Sequence, residues 1–291
     1  MIADRLSVDR RRFLAAGAAA LGAAGLPHFL RGDEKKEDAL GGFKLGAQSY
    51  TFREFDLEPA LKRMKSLGLH YVELFQKHAP LNSTPRQIEA LLRLCKEYDV
   101  TPAAWGVQHF SKDMDANRKV FEFGKALGVK MFSASPTKDA FDSLDKLCDE
   151  YKIAIGIHPH GPVGKDKLDQ WYSAEIILAA VKDHHPLIGS CLDTGHLIRS
   201  AQLGKRLDPV QQIRLMGKRN HGLHLKDHDN KKRTDVVFGK GVLDVPGVLK
   251  ALREVGFAGA ISIEYEANPR DPDKDVRACV EVVKDSVKKL G

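Results

Sequence analysis

The chain has 291 residues, 43% of them hydrophobic and 29% charged, with a formal net charge of +7. That length and balance are those of a globular protein with one large α/β domain or two smaller ones, and with ample core. Residues 1–31 hold five arginines against two aspartates, so part of the basicity belongs to the N-terminus and no nucleic-acid footprint is required. Cys95, Cys148, Cys191 and Cys279 lie far apart with no Cys-x-x-Cys pair, which argues against a zinc knuckle or a disulfide framework and for free thiols in packed elements.

In chain order, Ser7-Val8-Asp9-Arg10-Arg11-Arg12-Phe13-Leu14 resembles a twin-arginine export signal. The Ala/Gly/Leu stretch 15–26 that follows is too short and too weakly apolar for a stable membrane span. The resemblance implies a passing partnership with the twin-arginine translocase and a periplasmic or otherwise exported protein, loaded with any cofactor before transport. No clean cleavage site follows, so retention as a membrane anchor stays open. Residues 32–42 read as a charged spacer. The expected organisation is therefore a signal segment (1–31), the spacer, and a catalytic domain (43–291).

From Phe43 onward, short β-rich runs alternate with amphipathic helical patterns, which predicts βα units around a parallel sheet. Strands are expected near Gly46, Val72, Ala104, Phe132, Ile155, Ser190, Leu223 and Ile261. Eight is the number a (β/α)8 barrel needs in about 250 residues. Helices are expected over 57–67, 85–98, 116–127, 141–151, 173–182, 209–216, 245–255 and 275–290. Ser83-Thr84-Pro85 supplies a cap and a first-turn proline, and Gly68, Gly128 and Gly256 can close helices in the left-handed conformation. A doubly wound open sheet is the rival, but no Gly-x-Gly-x-x-Gly follows the first strand. The long connections 158–172, 195–207 and 226–243 would gather at the carboxyl face of a barrel, where function collects.

Four strand ends carry polar residues: Gly156-Ile-His158-Pro-His160, Cys191-Leu-Asp193, Gly222-Leu-His224-Leu-Lys226-Asp227 and Ser262-Ile-Glu264-Tyr-Glu266. Strand side chains alternate in direction. If His158, Asp193, His224 and Glu264 point inward, so do the small residues Gly156, Cys191, Gly222 and Ser262. The bulky Ile157, Leu192, Leu223 and Ile263 then face the helices. One choice of register satisfies all four strands. Two imidazoles and two carboxylates balance a single divalent ion, with Mn, Zn, Co and Mg all compatible.

Asp193-Thr-Gly-His196, His224-Leu-Lys-Asp227, Gly239-Lys-Gly241-x-x-Asp244 and Ile261-Ser-Ile-Glu264 resemble the sugar phosphate isomerase/epimerase family, with its xylose isomerase-like TIM barrel. The resemblance covers about residues 43–291 and implies one divalent ion on His158, Asp193, His224 and Glu264, with His196 as a contact to substrate oxygen. His158 stands where family members carry Glu, so the paired-carboxylate proton shuttle is not assumed. A single base that removes a proton next to a carbonyl, followed by loss of a β-hydroxyl or alkoxide, gives a lyase or dehydratase rather than an epimerase, and isomerase, epimerase and lyase outcomes all stay open. Glu264 is the expected base; His158 or His160 would be a second base, and His160 or His196 the acid.

Lys226 and Arg233 are further candidates for substrate contact, and Trp171, Tyr172 and Phe110 for stacking on a sugar or lining a pocket, with packing of each aromatic on its own loop as the equal alternative. A salt bridge from Lys226 to Glu266 or Asp227 is the structural alternative. Glu73 and His109 read as cavity-lining or structural, Gly239-Lys-Gly241 as a turn or an anion cradle, and His184-His185 as a helix cap. The substrate expected is a carbohydrate, and export disfavours a phosphorylated one, leaving a free or oxidised keto-sugar or a glycoside. A sugar-binding barrel without catalysis and an endonuclease IV-like nuclease are the alternatives. No nucleic-acid partner is expected, and homo-oligomerisation stays open.

Overall fold

The computed structural model describes residues 40–290. The expected signal segment and most of the spacer lie outside these residues. Eight parallel strands form: β1 (Lys44–Gln48), β2 (Tyr71–Leu74), β3 (Thr101–Phe110), β4 (Met131–Pro136), β5 (Ala154–Ile157), β6 (Ile188–Asp193), β7 (Asn220–Leu225) and β8 (Ala260–Ile263). They close into a barrel in the order β1-β8-β7-β6-β5-β4-β3-β2, one strand at each expected position.

Helices α1 (Leu57–Ser66), α2 (Pro85–Glu97), α3 (Met114–Leu127), α4 (Phe141–Tyr151), α5 (Ala174–Val181), α6 (Thr194–Arg199), α7 (Pro209–Met216), α8 (Val245–Glu254) and α9 (Asp273–Lys289) cover the cylinder. Local chemistry sets their ends. Thr84 and Gln87 form a reciprocal capping box with Pro85 at the first helical position of α2. Gly128 closes α3 at φ +75°, a conformation that costs a side chain with Cβ.

The three long connections are more ordered than their sequence suggests. The first carries a hairpin pairing Pro162–Gly164 with Lys167–Leu168, and the third pairs Asp227–Asp229 with Thr234–Val236. The second begins as α6, because the Asp193 carboxylate that ends β6 accepts the His196 N–H at 2.6 Å and caps the new helix. The connection expected over 195–207 thus opens as a helix.

The inferred alternation is realised. Ile157, Leu192, Leu223 and Ile263 join the main core beneath the helices. Cys191 belongs instead to a small cluster with Ala104, Met131 and Ala154. Met131 explains the glycines beside it: a Cβ on Gly156 would lie 2.8 Å from its Sδ, and one on Gly222 would lie 2.6 Å from its Cε. One long thioether, reaching inward from β4, fills space that side chains on β5 and β7 would otherwise take.

Two secondary readings change. Gly239-Lys-Gly241 is a turn whose following N–H groups receive the protein's own anion: Asp227 accepts from Gly241, Val242 and Leu243 at 3.0–3.1 Å. His184 and His185 are not a dipole cap. The His184 ring meets Asp145 of α4 at 2.8 Å, and the His185 N–H donates to the same carboxylate. All four cysteines are free and buried.

Candidate active site

The carboxyl mouth of the barrel is built by strand ends in register. Asp193 lies opposite His224 across the β6–β7 pair. His158 and Glu264 follow β5 and β8 and still donate backbone N–H groups to Ala134 and Leu225 on the adjacent strands. The four side chains are therefore carried on the rigid ladder rather than on loops. His158 Nε2 lies 3.0 Å from His224 Nδ1 and 3.6 Å from Asp193 Oδ2. His224 Nδ1 lies 3.2 Å from Glu264 Oε2. One atom from each of the four residues falls within 4.8 Å of every other.

Donor chemistry fits a divalent cation. Two imidazole nitrogens face each other with two carboxylate oxygens beside them, and buried Asp193 Oδ2 has no hydrogen-bond partner among the described residues. Two negative charges and two neutral rings would balance M²⁺. The far nitrogen of His224 is held as metal-binding histidines are held: its Nε2 meets Glu73 Oε2 at 2.8 Å. Glu73 is in turn fixed through its other oxygen by Ser133 and by Gln48, 3.1 Å away. Glu73, read from sequence as a lining or structural group, thus orients the cluster.

Burial and neighbouring charges compete over the ionisation of these groups. Burial opposes ionisation of Asp193, but Lys226, His196 and His158 outweigh it and hold the carboxyl well below its usual range. Burial likewise opposes ionisation of Glu264, and Lys226 and His224 overcome it. His224 is held well above the ordinary histidine range, burial being outweighed by Cys191, Glu73 and Glu264. Because burial pushes the Cys191 thiol up to about 11, near neutral pH the two carboxylates carry that effect. Lys226 is fully buried and reaches Glu264 at 2.8 Å, Asp193 at 3.4 Å and Glu266 at 2.5 Å. It is the permanent cation of the cluster, and the salt bridge to Glu266 foreseen for it is present.

Over the cluster lies a cavity of about 390 Å³, bordered by His158, His160, His196, Arg199, Glu264 and Glu266, with Gln48, Tyr50 and Phe75 opposite. His160 meets His158 edge-on and His196 at a tilt, ring centres 4.7 and 5.0 Å apart. Burial and neighbouring His158 push His160 down to about 3, and burial carries His196 well below the usual range. Both rings are thus neutral near pH 7, which suits hydrogen bonding to hydroxyls better than the acid role expected of them. Arg199 Nη1 lies 3.1 Å from His196 Nδ1, so we assign the ring proton to Nε2.

Sequence reasoning misplaced the aromatic wall. Trp171 is fully buried, its indole N–H donating to the Pro136 carbonyl at 2.9 Å and its ring packing on Phe141. Phe110 is fully buried with Phe121 and Phe132. The aromatic side of the cavity is instead Tyr50 and Phe75, an edge-on pair 5.4 Å apart. Arg233 borders an adjacent cavity rather than this one. His109 is exposed and stands outside the cluster. Gln48, Tyr50 and Arg199 escaped notice, although Gln48 ends the run Leu45-Gly-Ala as Glu73 ends Tyr71-Val.

A family model described as the xylose isomerase-like TIM barrel matches residues 61–285. The chain belongs to this family. Among solved xylose isomerase-like and related barrels, an uncharacterised protein from Parabacteroides distasonis ATCC 8503 is 26% identical, with TM-score 0.65 over 86% of this chain and 100% of its own. A D-tagatose 3-epimerase-like protein is 17% identical, with TM-score 0.66 over 85% and 98%. The D-psicose 3-epimerase of Clostridium cellulolyticum H10, solved with D-tagatose, is 15% identical, with TM-score 0.66 over 84% and 99%. These last two likenesses concern the fold. No curated protein matches the sequence.

Proposed function

We propose that this xylose isomerase-like barrel is a divalent-metal-dependent enzyme that removes a proton next to a carbonyl of a carbohydrate, in the manner of a sugar isomerase, epimerase or lyase. The observation that carries this is the convergence of His158, Asp193, His224 and Glu264 on one point beneath a cavity with an aromatic wall. When bound there, a divalent ion supplies Lewis-acid polarisation of a carbonyl. Glu264 is the base: it is ionised, borders the cavity, and is oriented by Lys226 and His224. Lys226, fixed among three carboxylates, keeps Glu264 as carboxylate and places positive charge where negative charge develops. His160 and His196 offer neutral rings to substrate hydroxyls, and Tyr50 and Phe75 an apolar face for a sugar ring.

A His158 ring that ligates through Nε2 has given up the lone pair it would need as a second base, whereas Glu264 ligating through one carboxylate oxygen keeps the other for proton removal. Glu266, two residues beyond Glu264, borders the same cavity and is a second carboxylate there. A sugar-binding barrel without turnover is the second reading, favoured by that imidazole on β5 where a carboxylate would complete a two-base site. Metal analysis of the purified protein, followed by incubation with keto-sugars in D2O, separates the two. Deuterium at the carbon beside the carbonyl supports the enzyme; sugar binding without exchange supports the binding protein. Export by the twin-arginine route is part of the proposal and rests on Arg10–Leu14 and the apolar stretch after it.

A further inference from the structure

A second cavity of about 300 Å³ adjoins the first and shares Arg199 and Glu266 with it. His228, Arg233, Thr234, Asp235, Gln202 and Ala267 complete its wall. The wall is fixed rather than loose. Asp235 Oδ1 meets the His228 ring at Nδ1, 2.9 Å away, and Asp235 Oδ2 accepts the Glu266 N–H at 3.2 Å, tying the hairpin after β7 to the segment leaving β8.

His228 is 4% exposed, and its Nε2 has no hydrogen-bond partner among the described residues. We assign the ring proton to Nδ1, facing the Asp235 carboxylate, which leaves Nε2 as the acceptor. A buried acceptor left without a donor is destabilising, and a bound hydroxyl would satisfy it. The charges in this wall oppose one another: Arg199 and Arg233 against Asp235 and Glu266. A phosphate or carboxylate would meet two fixed anions here. An uncharged group rich in hydroxyls, able both to donate and to accept, meets a partner for each.

We infer that this cavity is a subsite for a second, uncharged sugar ring. The substrate is then a glycoside or disaccharide whose reacting ring lies over Glu264 and whose other ring lies between Arg199, His228 and Thr234. The inference rests on the carbohydrate chemistry proposed for the main cavity and extends it to the size of the substrate.

The test compares D-fructose with three ketose disaccharides of different linkage (lactulose, turanose and isomaltulose) on Mn²⁺-loaded full-length protein. Affinity is read by calorimetry and proton exchange by deuterium uptake from D2O. The expected result is that at least one disaccharide binds about tenfold or more tightly than D-fructose. Thr234→Trp, at an exposed position of the hairpin, and His228→Asn should each lower that preference about tenfold. Equal affinity for one ring and two, or a preference that both variants leave intact, overturns the subsite. Disaccharide preference without deuterium uptake removes the proposed reaction and leaves the subsite standing. Uptake without preference does the reverse.

Discussion

The two mouths of the barrel enclose cavities of similar size and opposite character. At the amino end, about 430 Å³ is bordered by Tyr71, Pro102, Ala104, Met131, Ala154 and Phe257. At the carboxyl end, about 390 Å³ lies over ionised carboxylates, three imidazoles and a buried lysine. Volume therefore does not mark the site. What distinguishes the carboxyl mouth is buried polar atoms held in place yet left without partners, an arrangement that a stable core avoids and a ligand can complete. Strand β7 shows the contrast within one element. His221, at the amino mouth, is pushed down to about 4 by burial, while His224, three residues later, is raised by carboxylates.

The largest effect that would test this contrast is at Glu264. Glu264→Gln keeps an oxygen donor and removes the base, so deuterium uptake should fall about 10²–10⁴-fold while the divalent ion still binds. Uptake at the wild-type rate would remove Glu264 from the role. At the other mouth, Met131→Ala should lower unfolding free energy by about 2–4 kcal/mol, because the thioether fills the space left by Gly156 and Gly222. Its metal affinity should stay near that of the parent. A collapse of metal binding in that variant would mean that the two ends are not separable.

A smaller change is expected at Glu73, which touches no substrate and holds His224. Glu73→Gln should weaken Mn²⁺ or Zn²⁺ binding to metal-stripped protein about 10–100-fold, read by titration. Unchanged affinity would make Glu73 a packing residue. The smallest effect concerns acid. His221 has a folded-state value near 4 against an unfolded value near 6.5, so the unfolded chain binds the proton first. The stability it contributes is present above pH 6.5 and fades as pH falls toward 4, by about 1–2 kcal/mol once its partial exposure is allowed for. His221→Gln should flatten the fall of unfolding free energy over that window; an unaltered slope would assign it to other groups.

The barrel was legible because its signals are local and repeated. Eight apolar runs, spaced by helices with their own caps, lead to one closed parallel sheet. The inward register of His158, Asp193, His224 and Glu264 followed from period-two alternation, since neighbouring small and bulky residues permit no other choice. Glu73 was harder to assign. It comes from the opposite side of the chain order, and only closure of β1 and β2 against β8 carries it to His224. Trp171 misled because an aromatic residue on a long carboxyl-face loop has the same sequence signature whether it faces ligand or folds back on Pro136. Tyr50 and Phe75 gave no signal, being ordinary apolar residues after ordinary strands.

What the sequence determined by itself is whatever depends on residues close in the chain: strand and helix placement, caps, and which face of each strand is polar. Alternation and capping act over a few residues, so their outcome is written there. What the tertiary structure decided is which polar groups meet. The pairing of His224 with Glu73, the seating of Lys226 among Asp193, Glu264 and Glu266, the capture of the Gly241 turn by Asp227, and the adjoining of two cavities at Arg199 and Glu266 all join segments tens of residues apart or fix which of several near partners is met. Contacts of that kind are set by the closure of the cylinder and the packing of its loops.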